Sequence, residues 1–236
     1  MDKLACETRS LLNIELTPWQ LSAVTHYMHE LETWNERYSL TAIHSPDKVR
    51  IKHFLDSFSC YRMMHNTARK RVIDVGTGAG FPGIPLKIIF PDIQLTLMDS
   101  VKKKIDFCQH IVRELGLKEI EVIHERAELL GKDETHREKY DWAVARAVAQ
   151  ISELSEYLLP LVRVGGRMLA MKGDSGPAEA QSAGAAIELL GGRLRQLERL
   201  NLPGVTEDRY LIVIDKVVPT PEKYPRRVGI PAKRPL

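Results

Sequence analysis

An α/β fold, with a mostly parallel sheet behind an N-terminal helical cap, is what this 236-residue sequence predicts, and three observations predict it. Apolar residues recur at helical spacing through the first 66 residues. From residue 71, short apolar runs alternate with helix-length stretches. A glycine-rich turn, DVGTGAGFPG (74–83), follows the first of those runs. Alternation of this kind builds parallel strands covered by helices on both faces. The expected division is a cap over 1–66 and an α/β domain over 67–236 that ends in a basic tail, 216–236.

In the cap, Thr17-Pro18 followed by Gln20 reads as a capping box: the hydroxyl accepts an orphan amide, proline gives up nothing at the first helical position, and glutamine reaches back. Behind it Leu21, Val24, Met28, Leu31 and Trp34 mark one face of an amphipathic helix. A second start lies at Ser45-Pro46, with Val49, Phe54, Leu55, Phe58 and Tyr61 behind it, and His53 is expected to pack between cap and sheet. Strands are expected at 71–75, 94–99, 120–124, 141–145, 167–172 and 209–216. The stretch VKKKIDFCQHIVRELG reads as a helix closed by Gly116, its three lysines forming a solvated face. The alanine- and glycine-rich stretch GPAEAQSAGAAIELLGG also reads as helix.

No apolar run approaches the roughly eighteen residues of a membrane span, and the first residues lack a basic-then-apolar leader, so the expected compartment is the cytoplasm. Three widely spaced cysteines, Cys6, Cys60 and Cys108, support neither a disulfide framework nor a metal site, and all are expected to be reduced. Net charge is only +3, but the tail holds Lys216, Lys223, Arg226, Arg227, Lys233 and Arg234 against the single acid Glu222, leaving the body slightly acidic.

An open parallel sheet binds its ligand outside the carboxyl ends of its strands, so the glycine turn is the natural place for one. It fits two templates. From Gly78, G-A-G-F-P-G matches the dinucleotide pattern G-x-G-x-x-G; from Asp74, the same residues match D-x-G-x-G-x-G through Gly76, Gly78 and Gly80. Charge separates them. A pyrophosphate is disfavoured by a carboxylate at the strand's end, whereas the sulfonium and ammonium of S-adenosylmethionine favour one. Asp99, at the end of the next strand, can accept hydrogen bonds from ribose hydroxyls of either cofactor. A nicotinamide or flavin enzyme therefore remains the alternative from a different class, and a turn with no ligand the simplest reading.

Seven segments occur in order: WNERYSLTAI (34–43), KHFLDS (52–57), DVGTGAGFPGIPL (74–86), RAE (126–128), RAVA (146–149), GG with AMKG (165–173) and YPRRVGIPAKRPL (224–236). Together they resemble the bacterial small-subunit ribosomal RNA guanine-N7 methyltransferases, the glucose-inhibited division protein B family, over nearly the whole chain. Ala145 departs from the serine that the family often places before the arginine. The resemblance implies a Rossmann-like, S-adenosylmethionine-dependent enzyme that methylates N7 of a guanine in the decoding region of 16S rRNA. It also implies cofactor contacts at Gly76, Phe81, Ala127, Glu128 and Arg146, with Phe81 lining the pocket beyond the glycines and Ala127 and Glu128 framing the adenine.

The residues agree with that chemistry without the name. Methylation of an exocyclic amine is usually served by an Asn/Asp-Pro-Pro-aromatic turn after the fourth strand, where this chain reads Ala145-Arg146-Ala147-Val148. Methylation of a pyrimidine C5 needs a cysteine nucleophile there, and none is present. Guanine N7 offers a free lone pair and no proton, so positioning alone can supply on the order of 7–11 kcal/mol. Arg146 is the expected catalytic residue, gripping O6, phosphate or the cofactor carboxylate. Arg126, Lys172, Arg226, Arg227 and Lys233 are expected to face the RNA; six tail cations on single-stranded phosphates give a salt slope near −4, from about −0.7 each. The partner is 16S rRNA or the small ribosomal subunit, with no membrane and no metal, and the chain is expected to be a monomer. The remaining alternatives are a methyltransferase of another substrate and a catalytically silent RNA-binding module.

Overall fold

The computed structural model describes residues 2–64 and 67–236. The expected boundary between cap and α/β domain, at residue 66, lies outside the described residues. Seven strands form one sheet: β1 (Arg71–Val75), β2 (Gln94–Asp99), β3 (Ile120–His124), β4 (Tyr140–Arg146), β5 (Val162–Lys172), β6 (Gly192–Leu200) and β7 (Arg209–Lys216). Their order is β3-β2-β1-β4-β5-β7-β6. The first five run parallel, and β7 is antiparallel to both β5 and β6. This is a Rossmann-like sheet whose strand order reverses between β1 and β4, so the crevice for a ligand opens at their carboxyl ends.

Side chains alternate between two cores, as strands buried on both faces require. Val72, Leu97, Val144, Leu169 and Val213 face the N-terminal helices with α5 (Gly83–Ile89) and α6 (Lys102–Glu114). Ile73, Val75, Ala143, Ala145, Met168 and Ile212 face α7 (Ala127–Leu130), α8 (Ile151–Leu158), α9 (Gly176–Ser182) and α10 (Gly184–Leu189). Because the first core is continuous with Leu4, Val24, Tyr27, Phe54 and Phe58, the N-terminal helices bury their apolar faces on the sheet itself.

Those helices are α1 (Asp2–Leu12), α2 (Pro18–Tyr38) and a third that changes pitch along its length. It begins as α3 (Pro46–Val49), widens into a π-helical segment (Arg50–Leu55) and returns to α-helix as α4 (Asp56–Phe58). The capping box forms as expected: Gln20 N–H donates to Thr17 Oγ1 at 3.2 Å and Thr17 N–H to Gln20 Oε1 at 2.8 Å. Gly116 ends α6 at φ +61°, and the Leu117 N–H reaches back to the Val112 carbonyl, a Schellman closure.

Two differences from the sequence expectation have physical causes. Strand β6 was not anticipated, because it is a charged edge strand, rich in Arg193, Arg195, Glu198 and Arg199, and a bulge between Leu194 and Gln196 breaks its alternation. Strand β5 begins at Val162 rather than 167, running through Gly165 and Gly166.

Candidate active site

The loop after β1 is held from behind. Asp74 is fully buried, and its Oδ2 accepts from Thr77 Oγ1 at 2.6 Å and from the Gly83 amide at 2.8 Å, fastening the start of α5 to the strand. Its carboxylate therefore lies beneath the glycines instead of beside a ligand, which corrects the expectation that it faces a cofactor's cation. Burial, against these hydrogen bonds and the Arg146 charge, pushes its pKa up to about 6. Gly80 (φ +88°) cannot carry a Cβ: the atom would meet the Tyr27 hydroxyl and, at 2.6 Å, Ile84 Cδ1. Tyr27 in turn donates to the Ala79 carbonyl, so α2 clamps the loop.

Asp99, at the end of β2, uses each carboxylate oxygen once. Oδ2 accepts from the Gly78 amide at 3.0 Å and Oδ1 from the Val101 amide at 2.9 Å. A lone pair remains on each. Asp99 lines a cavity of about 260 Å3 at the carboxyl ends of β1, β2 and β3, with Gly76, Met98, Ala127 and Val148 as its apolar walls. The charged residues lining this first cavity are markedly acidic: Asp99, Glu125, Glu128 and Glu153 against Arg126 alone.

A second cavity, about 300 Å3, meets the first at Gly76. It lies between the sheet and the N-terminal helices and is cationic, lined by Lys52, Lys104, Arg146 and Arg209 against Asp56. Arg146, at the end of β4, crosses to the π-helical segment. Its Nη1 donates to the Lys52 carbonyl at 2.9 Å and to Asp56 Oδ2 at 3.0 Å, and its Nη2 to His53 Nδ1 at 3.0 Å. Asp56 is thereby paired. Phe81 is sandwiched between His53 (4.6 Å between ring centroids) and Tyr27 (5.1 Å), with the Arg146 guanidinium 5.3 Å from its ring centre. Burial, reinforced by Arg146, depresses the His53 pKa to about 3, so the imidazole is neutral at physiological pH. The Arg209 side chain makes no hydrogen bond or ion pair among the described residues, and its Nε is buried without a partner. Lys104 lies 3.7 Å from Asp99.

The structure sorts the residues expected from sequence. Gly76, Asp99, Ala127 and Glu128 line the first cavity; Gly76, Gly78, Phe81 and Arg146 line the second. Glu128 is buried with Oε1 accepting from the Gly229 amide at 2.9 Å, so its carboxylate secures the C-terminal segment. Arg126 is exposed at the rim of the first cavity, away from the second. Lys172, expected on the RNA, is instead tied to Glu179 at 2.7 Å and the Ala149 carbonyl at 2.8 Å. Arg226 is likewise turned inward, forming a two-pronged pair with Glu156, which is fully buried.

The tail is thus laid on the body. Arg137 donates to the carbonyls of Tyr224 and Thr220, and Ala232 forms part of the first cavity's wall. Lys216 is also buried, on Glu138 at 3.0 Å. Only Lys223, Arg227, Lys233 and Arg234 of the tail cations are exposed, which lowers the salt slope the tail could give to about −2.8.

Sequence reasoning gave no chemical role to Thr41, Lys52, Lys104 or Arg209. Thr41, Lys52 and His53 sit inside WNERYSLTAI and KHFLDS, segments that carried the resemblance, so a signal was present. Lys104 was read with its neighbours as solvated. The fold separates them: Lys102 pairs with Asp106 and Lys103 donates to the Tyr38 carbonyl, while Lys104 turns toward Asp99.

Comparison with known proteins bears on the fold and on the family. A solved SAM-dependent methyltransferase from Aquifex aeolicus matches with a TM-score of 0.55 at 18% identity, over 75% of this chain and 96% of that one. TrmN from Thermus thermophilus matches at 0.54 and 20%, over 68% and 48%. Both likenesses concern the fold. Curated sequences named ribosomal RNA small subunit methyltransferase G are much nearer: 45% identity with that of Desulforamulus reducens (95% of this chain, 94% of the relative) and 48% with that of Roseiflexus castenholzii (94% of each). That of a Roseiflexus species is 45% identical over the full length of both. A sequence model of the GidB family, described as rRNA small subunit methyltransferase G, matches residues 20–209, and with these relatives it shows that this chain belongs to the GidB family.

Proposed function

We propose that this chain transfers a methyl group from S-adenosylmethionine to N7 of a guanine in the decoding region of 16S rRNA, in the cytoplasm. The observation that carries this is a pair of cavities of opposite charge that meet at Gly76, the cationic one holding an imidazole with both nitrogens engaged and a carboxylate paired with Arg146. The acidic first cavity suits a cationic nucleoside and repels a pyrophosphate, which argues against nicotinamide and flavin cofactors. Asp99 has lone pairs for two ribose hydroxyls, and Ala127, Met98 and Val148 offer flat apolar contact for an adenine. When bound, S-adenosylmethionine supplies an electrophilic methyl group on a sulfonium.

The second cavity is where a base would sit. Asp56 is engaged by Arg146, and both nitrogens of His53 are occupied, Nδ1 by Arg146 and Nε2 by Thr41 at 2.9 Å. The imidazole is therefore not free to take a proton, and the carboxylate is held by the guanidinium. An acceptor that needs no deprotonation fits such a site, and guanine N7 is one. Arg209 and Lys104 offer cations for the phosphates on either side of the target, with Arg227 and Lys233 further binding RNA from the tail. Arg146 holds the wall of the cavity in register by bonding Lys52 and His53 of the π-helical segment and Asp56 at the start of α4. The helical cap, 1–66, and the Rossmann-like domain, 67–236, then act as the two jaws around the base.

The test is methylation of deproteinised 16S rRNA and of 30S subunits with labelled cofactor, followed by mass mapping of the product. A single N7-methylguanosine is expected; methyl on another atom contradicts the reading. Arg146→Ala is expected to lose at least about 100-fold in transfer, since misplacement of about 1 Å costs that much. Arg146→Lys is expected to recover little, because an ammonium cannot reach all three acceptors at once. Normal turnover by either variant removes Arg146 from the site.

A further inference from the structure

Hydrogen-bond direction in the second cavity is fixed by a guanidinium. Arg146 has only donors, so His53 Nδ1, 3.0 Å from its Nη2, must be an acceptor and the imidazole proton must sit on Nε2. That Nε2–H donates to Thr41 Oγ1 at 2.9 Å. A second donor, the Ile43 amide, reaches the same oxygen at 3.1 Å. Both acceptor sites of the hydroxyl are then filled, and the one role left to Thr41 is to donate. No described residue accepts that proton, and Thr41 lines the cavity that also holds Gly76 and Phe81.

The hydroxyl is also held in place. Asn35, buried in α2, grips the backbone of Thr41 from both sides, accepting from its amide at 2.8 Å and donating to its carbonyl at 3.0 Å. The result is an uncharged donor held in place at the wall of a cavity whose cations are Lys52, Lys104, Arg146 and Arg209. A cation serves phosphates and any base oxygen alike. A single oriented donor instead distinguishes an acceptor from a donor on the base edge.

We propose that the Thr41 hydroxyl donates a hydrogen bond to O6 of the target guanine and so selects guanine over adenine. Adenine presents an amine, itself a donor, at the position where guanine presents O6, so two donors would face each other. This rests on the guanine reading given above. It adds the residue that recognises the base to a site whose other parts bind the cofactor and the phosphates.

The test pairs a change in the protein with a change in the base. Small-subunit rRNA is assembled by ligation with either guanosine or 2-aminopurine riboside, which keeps N7 and lacks O6, at the target position. Both forms are offered as naked RNA and within reconstituted subunits. The wild-type protein is expected to favour guanosine roughly ten-fold in kcat/KM, in line with one net hydrogen bond. Thr41→Val is expected to bring that ratio close to one, and Thr41→Ser to retain it. Affinity for S-adenosylhomocysteine should be unchanged in both variants, because Asp99 and the first cavity are untouched. A wild-type ratio near one, or a Thr41→Val ratio equal to the wild type's, overturns the proposal. So does a His53 nitrogen NMR spectrum showing the proton on Nδ1, a measurement that does not depend on any variant folding. A product methylated at an atom other than N7 defeats the guanine-N7 reading instead, and mass mapping of the same reactions reveals it.

Discussion

The buried carboxylate of Asp74 makes a local statement about stability. Its side chain is wholly out of water, Oδ2 is engaged by Thr77 and Gly83, and Oδ1 has no partner. Burial raises the pKa from 3.8 to about 6, so the fold binds this proton more tightly than the unfolded chain does. The resulting stabilisation is complete below pH 3.8 and is lost as pH rises through 6. Asp74→Asn keeps one oxygen for Thr77 and Gly83 and carries no charge to bury. The variant should therefore gain on the wild type as pH rises from 4 to 7, by on the order of 2–3 kcal/mol. Denaturant unfolding of both proteins across that range checks this, and a difference that does not change with pH would contradict it. His53 shows the opposite sense: its depressed pKa keeps it neutral, and the protein pays in stability only as pH falls from 6.5 toward 3.

At the scale of elements, the site is made where two loops touch. Gly76 follows β1 at φ +69°, and a Cβ there would lie 2.7 Å from Val148 Cγ2 in the loop after β4. Gly116 has a similar φ, +61°, at the end of α6, with open space where a Cβ would go. Gly76→Ala should weaken S-adenosylhomocysteine binding at least ten-fold, because Val148 is displaced into the first cavity it lines. Gly116→Ala should cost about 1 kcal/mol of stability from the left-handed backbone and leave that affinity unchanged. Calorimetric titration of both variants separates the effects; equal losses of affinity would mean that the glycine loop does not shape the cavity. The elements themselves were largely legible in the sequence. Runs such as RVIDV and QLTLMD are apolar because both sheet faces are covered, and the capping box around Thr17 and the glycine after α6 are local signals with local causes. Strand β6 was hidden because its stability comes from pairing with β7, not from an apolar pattern of its own.

For the molecule as a whole, the charge pattern of the sequence was a weaker guide than the fold pattern. Lys172 and Arg226 look like surface cations by residue type, but their partners Glu179 and Glu156 lie on other elements and reach them only in the folded chain. Thr41, Lys52, Lys104 and Arg209 span most of the sequence and meet in one cavity for the same reason. The tail, which by composition is a basic appendage, is instead fastened by Arg226 to Glu156 and by Gly229 to Glu128, placing Ala232 against the first cavity. Arg226→Ala leaves the buried Glu156 carboxylate unpaired and should destabilise the protein by roughly 3 kcal/mol. It should also weaken S-adenosylhomocysteine binding, since the tail is one wall of that cavity; thermal melts with and without the ligand check both. In the proposed reaction, donor and acceptor occupy two different cavities joined at Gly76. A crystal structure with S-adenosylhomocysteine tests it most directly. The adenosine is predicted between Asp99 and Ala127, with the sulfur at Gly76 pointing toward Arg146 and His53; an adenosine seated among Lys52, Arg146 and Arg209 would contradict it.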